Sequence, residues 1–339
     1  MLNSSPLAEH IYFLLCPNFS MIAFTMAVEP LRLANRMLGQ PHYRWELIST
    51  DGLAVTASNG VEVAVAKSIA AVQRECLGPA RSKMVIVCTG IEVEAITDPA
   101  MFAWLRRMSA QGAGIGGLCT AAWVLAEAGL LDGKRAAIHW ENLPGFAERF
   151  PKTQAKSVLF EADHNVFTCA GGTASLDMML NLIGDSLGPE IVAKVCEQCL
   201  IDRIRAPDDR QRLPLGARIG VQNETLLRIV ELMEANIGEP VSLIDMSQQS
   251  GLSRRHVERL FRQHMGKSPA RYYLEVRLER ARRLLRHSGL PIVEVAIASG
   301  FVSASHFSKR YRERYQVSPQ ADRREVEAGR GSAVAQARA

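Results

Sequence analysis

Two hydrophobic patterns divide this chain. Through the first two hundred residues, short apolar runs alternate with stretches of helical spacing. Residues 11–16 form a continuous apolar run ended by Pro17, the mark of a strand buried on both faces. Residues 21–37 carry helical spacing, and Pro30 inside them is expected to end or kink the helix. Residues 45–49 and 84–88 read as strands running into the turns Asp51-Gly52 and Thr89-Gly90. Residues 99–111 are helical, the glycines at 112, 114, 116 and 117 surround another strand, and 120–131 read as a helix closed by Asp132-Gly133. The rhythm returns in 166–170, Gly171-Gly172 and 174–183. This order predicts an α/β domain with a mostly parallel, flavodoxin-like sheet over residues 9–204.

The composition then changes. Arg203, Arg205, Asp208, Asp209, Arg210 and Arg212 crowd around Pro207 and Pro214, and 205–220 read as an interdomain linker. Beyond it only helix periodicity appears, which predicts an all-α domain over 221–326. The small, polar residues 327–339 are expected to be a disordered tail.

Charge follows the same division. The chain of 339 residues has 40 Lys and Arg against 35 Asp and Glu, a net of +5. From Val221 onward there are 20 basic and 13 acidic side chains, a net of +7; the 20 and 22 before it give −2. A near-neutral module tied to a basic one points to a partner that is a polyanion. At 47% hydrophobic and 22% charged, wholesale disorder is excluded. No apolar run approaches the roughly 18 residues a membrane helix needs, and residues 1–10 lack the features of a signal peptide. Seven scattered cysteines read as reduced thiols, so a cytoplasmic location is expected.

The basic half contains an internal repeat. Residues 253–262, Ser-Arg-Arg-His-Val-Glu-Arg-Leu-Phe-Arg, return at an offset of 50 as Ser-Ala-Ser-His-Phe-Ser-Lys-Arg-Tyr-Arg in 303–312, and Ser268-Pro269 returns as Ser318-Pro319. Each copy follows a short apolar helix that ends in Ser-Gly. A helix, a glycine turn and a second helix opened by a serine cap make a helix-turn-helix. Val257, Leu260 and Phe261 share one face of the first copy, as Phe307 and Tyr311 do in the second. The opposite face presents Arg254, Arg255, Glu258, Arg259 and Arg262, then Ala304, Ser305, Ser308, Lys309 and Arg312. Arginine and lysine suit guanine edges and phosphates, while serine and alanine permit close groove approach. A helix over 269–287, carrying Arg271, Arg277, Arg280, Arg282, Arg283 and Arg286, joins the copies. At 1.5 Å per residue it spans roughly 28 Å, close to the ~34–36 Å turn of B-DNA.

These residues resemble the DNA-binding domain of the AraC/XylS family of transcription regulators. The likeness runs through Gly251-Leu252-Ser253, Gly266-Lys267-Ser268-Pro269, Ala281-Arg282-Arg283-Leu284-Leu285, Gly300-Phe301, Ser305-His306-Phe307-Ser308-Lys309 and Ser318-Pro319, covering 222–324. It implies double-stranded DNA and RNA polymerase as partners. The family's base-facing positions fall here on Arg255, Glu258, Arg259, Ala304, Ser305, Ser308 and Lys309. Gln316 stands where the family has a glycine, so turn strain is expected there.

In the first half, Cys119 sits between a buried strand and a helix, in Gly116-Gly117-Leu118-Cys119-Thr120. A strand-to-helix elbow exposes its side chain to the positive helix end, which is expected to lower the thiol pKa. His139, at the end of an expected strand over 135–140, supplies a base for a Cys–His pair. That pair keeps open an alternative function: a cysteine-dependent amidohydrolase or peptidase-like enzyme fused to a DNA-binding module.

The segments Glu29-Pro30-Leu31-Arg32, Cys119-Thr120, Ala128-Gly129-Leu130-Leu131-Asp132-Gly133, His139-Trp140 and Gly171-Gly172 resemble the DJ-1/PfpI branch of the glutamine-amidotransferase-like fold. More narrowly, they resemble the sensor domain of GlxA-type AraC-family regulators. Thr120 replaces the histidine that PfpI-like peptidases place after the cysteine, and the loop after the first strand offers no acid. A non-catalytic domain is therefore expected, holding a small effector in the fold's crevice. The resemblance implies homodimers and an effector such as arginine, glycine betaine or carnitine, on an activator of a catabolic operon. Cys119, His139, Trp140 and Glu29 are the candidate effector residues, since a methylated cation favours aromatic faces and a carboxylate. No cofactor and no metal are expected: Cys196-Glu197-Gln198-Cys199 lacks a second ligand pair, and the glycine-rich 112–117 lacks the spacing of a phosphate loop.

Overall fold

The computed structural model describes residues 9–75 and 83–325, so the expected tail over 327–339 lies outside the described residues. Two compact units emerge, Met1–Gln211 and Arg212–Ala339. The first is built on a seven-stranded sheet, ordered β10-β11-β7-β6-β1-β2-β5. Its strands are β1 (His10–Leu15), β2 (Arg44–Ser49), β5 (Lys67–Ser68), β6 (Lys83–Cys88), β7 (Gly114–Leu118), β10 (Phe160–Asp163) and β11 (Val166–Cys169), while β3 (Val55–Thr56) and β4 (Glu62–Val63) pair apart from it. All neighbours pair parallel except β10 with β11. Side-chain alternation sends Ile11, Phe13 and Leu15 into one core and Tyr12 and Leu14 into the other. The first core lies under α1 (Met21–Leu38), α6 (Ala174–Leu187) and α7 (Pro189–Cys199); the second under α2 (Ile69–Glu75), α3 (Pro99–Ala110), α4 (Ala122–Glu127) and α5 (Leu143–Arg149).

The glycines of β7 serve packing. A Cβ on Gly116 would stand 2.9 Å from Ile86 Cγ1, and one on Gly114 2.9 Å from Met84 Cε. Large side chains of β6 fill the space that β7 leaves.

Three elements depart from the sequence reading. The helix expected to break at Pro30 runs through it, from the Ser20 cap to Gly39. Pro30 is buried on the same face as Ala27, Leu31 and Ala34, so packing outweighs one missing N–H donor. The helix expected over 120–131 is only Ala122–Glu127. The strand expected over 135–140 shrinks to β8 (Arg135–Ala137), paired with β9 (Gln154–Lys156) in a separate two-stranded sheet.

The segment expected as a linker is divided. Arg205 donates to Asp177 from its backbone N–H and guanidinium, at 2.8 and 2.9 Å. The Leu159 N–H donates to Pro207 O, and Gln211 Nε2 donates to Ile138 O and Val158 O at 3.0 and 2.7 Å. Residues up to Gln211 are thus fastened to the first unit. Leu215 of α8 (Leu215–Ile219) packs in the second.

The second unit is helical: α9 (Glu224–Ala235), α10 (Leu243–Ser250), α11 (Arg254–Met265), α12 (Pro269–His287), α13 (Ile292–Ala298) and α14 (Ala304–Tyr315). It has two cores. Tyr272 and Tyr273, near the start of α12, join Val257 and Phe261 in the first. Leu278, Ala281, Leu284 and Leu285 join Phe307 and Tyr311 in the second. Helix α12 is therefore the shared wall of two helix-turn-helix copies. Among the described residues, no helix is long and apolar enough to cross a membrane.

Candidate functional site

Both copies open their second helix in the same way. Ser253 Oγ accepts from the His256 N–H at 3.3 Å, and Ser303 Oγ from the His306 N–H at 3.2 Å. These caps satisfy donors that an uncapped helix leaves orphaned, and each is worth about 1 kcal/mol. Ahead of them, Gly251 (φ 68°) and Gly300 (φ 77°) make the turns. At Gly300 a Cβ would come 2.3 Å from Ile237 O, so the turn admits no side chain.

With Val257, Leu260 and Phe261 buried, α11 leaves Arg254, Arg255, Arg259 and Arg262 exposed and Glu258 partly so. Arg255, Glu258, Arg259 and Arg262 line one shallow groove. On α14, Phe307 and Tyr311 are buried, and Ser305, Ser308, Lys309 and Arg312 line a second groove. Ala304 is half-buried beside that face. Every residue chosen from the repeat thus stands on one of two outward faces.

Several arginines of α12 turn to contacts within the second unit. Among those named from the sequence, Arg271 is exposed and the others are half-buried. Arg277 Nε and Nη2 donate to the carbonyls of Ser299 and Gly300 at 3.0 and 2.6 Å, and its guanidinium lies 4.3 Å from the Phe301 ring centroid. It closes the last turn of α13. Arg282 and Arg286 each reach the carboxylate of Asp322, at 3.1 Å, while the Tyr311 hydroxyl donates to it at 2.5 Å. Asp322 is 1% exposed. Burial alone would raise its pKa, but Tyr311 and the two guanidiniums outweigh burial and hold the carboxyl below its ordinary value. Sequence reasoning missed Asp322, because its partners lie 36 and 40 positions away.

Gln316 closes α14 at φ 61°, in the left-handed region that Gly266 (φ 64°) occupies at the end of α11. The expected strain is present.

In the first unit, Cys119 sits at the C-terminal end of β7 with φ 63°, a strained conformation of the kind found at strand-to-helix elbows. Gly171 packs against it; a Cβ there would stand 2.9 Å from Cys119 Sγ. The thiol pKa is not lowered. Burial, then the neighbouring Cys169, push it up to about 12, and the Thr120 N–H offsets only part of this. The following helix has six residues, too few to overcome burial. The Thr120 hydroxyl turns inward, bonding Thr89 Oγ1 and Gly90 O at 2.7 Å each. His139 meets Cys119 through the backbone, its N–H donating to Cys119 O at 3.2 Å. Its ring lies 5.7 Å from that of Trp140, and its Nδ1 is 3.8 Å from Glu141 Oε2, an acid that sequence reasoning missed. Cys119, His139 and Trp140 therefore cluster.

Glu29 stands elsewhere. Its carboxylate pairs with Arg32 at 2.6 Å, one turn along α1. It lines a cavity of about 570 Å³ bounded by α1, α6, α7 and residues 201–205. At the fold's own crevice, where strand order reverses between β1 and β6, the loops that follow the two strands meet through backbone. Phe19 bridges to Gly90, and a Cβ on Gly90 would stand 2.3 Å from Asn18 O.

Comparison with known proteins supports both halves. Residues 9–185 match the DJ-1/PfpI family, and residues 246–325 match a helix-turn-helix domain family. The HTH-type transcriptional regulator CdhR of Pseudomonas aeruginosa is 40% identical over 317 residues, 94% of this chain and 92% of that protein. The HTH-type transcriptional regulator GbdR of the same species is 42% identical over 316 residues, 93% and 84% of the two chains. An AraC family transcriptional regulator from Pseudomonas putida, 28% identical, superposes with a TM-score of 0.50 over 57% of this chain and 99% of that one. With a parallel-sheet first unit, paired capped helices in the second and relatives alike across nearly the whole length, the chain belongs to the AraC-family DNA-binding transcription regulators that carry a DJ-1/PfpI-type domain.

Proposed function

We propose that this regulator is a cytoplasmic activator of a catabolic operon, working as a homodimer with RNA polymerase and switched by a small effector held in a non-catalytic first unit. The effector class is an amino acid such as arginine, or a methylated amine such as glycine betaine or carnitine. One observation carries the DNA half of this reading: two serine-capped helices, 50 residues apart, each turn an apolar face inward and a polar or basic face outward. Arg254, Arg255, Glu258, Arg259 and Arg262 read one major-groove segment, and Ala304, Ser305, Ser308, Lys309 and Arg312 the next. Ions on these faces are exposed, so binding weakens steeply with salt. A footprint on the upstream region of the regulated operon tests this reading. Protection of 15–25 base pairs is expected, and no protection at low salt contradicts it.

The effector half rests on the first unit, where Cys119, His139 and Trp140 cluster and Glu29 lines its separate cavity. A thiol with a pKa near 12 stays protonated at neutral pH, which supports holding over covalent chemistry. Cys119→Ser is therefore expected to keep the effector response. Loss of that response with the fold intact favours the enzyme reading.

A further inference from the structure

The charges lining the α1–α6–α7 cavity sort into pairs and a remainder. Glu29 is matched by Arg32 at 2.6 Å. Asp177, buried, is matched by Arg205, whose Nη2 also donates to Thr173 Oγ1 at 2.7 Å. Arg203 lies 3.8 Å from Asp209. Two lining charges have no ion-pair partner among the described residues, and they are of opposite sign. Arg36 donates only to the neutral Gln198 Oε1, at 3.2 Å, and Asp202 is exposed on the segment that follows α7. The same cavity is lined by the apolar side chains of Met26, Leu33, Leu176 and Ile201.

We infer that this cavity binds a small zwitterion, its carboxylate on Arg36 and its cationic nitrogen toward Asp202. A volume of about 570 Å³ lies in the ~300–1,000 Å³ range of small-molecule sites and exceeds what an amino acid or a betaine requires. A ligand with carboxylate alone, or cation alone, leaves one of the two opposite charges unanswered. The apolar part of the lining suits a methylated or aliphatic body. Arg36 has planar, fork-like geometry for a carboxylate, which a lysine would lack.

The cavity also has a route outward. Its wall includes Asp202, Arg203 and Arg205, and the chain from Arg205 to Gln211 is the segment fastened to the first unit before the second unit begins at Arg212. A ligand that closes on Asp202 tightens this segment. Occupancy then reaches the residues entering the DNA-binding unit without passing through the Cys119 cluster. This inference rests on the reading of the first unit as an effector sensor.

Calorimetry on the full chain tests it, with L-arginine, glycine betaine and L-carnitine as zwitterions, and choline and propionate as single-charge controls. Arg36→Gln and Asp202→Asn, both at exposed positions, serve as site variants; Cys119→Ser, His139→Ala and Trp140→Ala probe the other cluster. Binding of at least one zwitterion is expected, weakened about tenfold or more by Arg36→Gln and by Asp202→Asn. The bound zwitterion should also slow tryptic cleavage after Arg203 and Arg205. Unchanged affinity in Arg36→Gln and Asp202→Asn, with loss in His139→Ala or Trp140→Ala, overturns the cavity assignment and keeps the sensor reading. Equal binding of choline or propionate overturns the zwitterion assignment. Failure of wild type to bind any of the five overturns both.

Discussion

The two helix-turn-helix copies share caps, turns and a fifty-residue offset, yet they close their cores with different physics. In the first copy Phe261 packs on Tyr272, ring centroids 5.7 Å apart, inside an apolar core. In the second the corresponding pair is Tyr311 and Asp322, joined by a hydrogen bond and completed by Arg282 and Arg286. The outward faces diverge as well: four exposed arginines on α11, against serines, a lysine and one arginine on α14. A repeat therefore preserves backbone geometry, while core chemistry and the outward face drift independently. One buried carboxylate has turned arginines that look like DNA contacts into structural struts.

The largest expected effect follows from that contrast. Asp322→Ala strips the second core of its acceptor and strands the buried Tyr311 hydroxyl, destabilising that copy by about 3 kcal/mol. Tyr272→Phe at the matching position of the first should cost less than about 1.5 kcal/mol. Amide hydrogen exchange resolved by copy separates the two, and equal losses would erase the distinction. Acid probes the same group. Because Asp322 is held below its ordinary value of 3.8, it adds stability above that pH and loses it as pH falls through its folded pKa. The second copy should open before the first on titration below about pH 4, as amide spectra would report.

Next come the reading faces. Arg259→Ala should cost about 1–3 kcal/mol at one base position, whereas Arg271→Ala should weaken all sequences alike and lower the salt slope by about one. Binding to single-base variants of the site at several salt concentrations distinguishes these. Arg282→Ala, by contrast, should appear first as lost stability. The smallest effect is at the helix ends. Gln316→Gly removes a left-handed side-chain penalty and should raise stability by up to about 1 kcal/mol, measurable by urea unfolding, while Gly266→Ala should lower it.

Local chemistry made much of this legible from sequence. Ser253 and Ser303 announce their helices because a cap acts within three residues, and β1 and β6 announce themselves as nearly continuous apolar runs. Side chains that act over distance do not. Nothing near Arg282 reveals Asp322, forty positions on. The short strands β5 and β9 contain too few residues to show a period, and Pro30 is tolerated only because its neighbours bury that helix face. Position in a motif suggested a lowered pKa for Cys119; burial, which the motif does not encode, reversed it. Glu29 was singled out by its motif, but its place on a separate cavity depends on how α1 packs against α6 and α7.

The central claim is that one chain reads DNA with both copies. Selection of binding sites from a random duplex pool by the full-length protein tests it most directly. The account predicts two recognition elements about 10–10.5 base pairs apart, the one degenerating in Arg259→Ala and the other in Lys309→Ala. A single element, or a site whose sequence is indifferent to both substitutions, would contradict it.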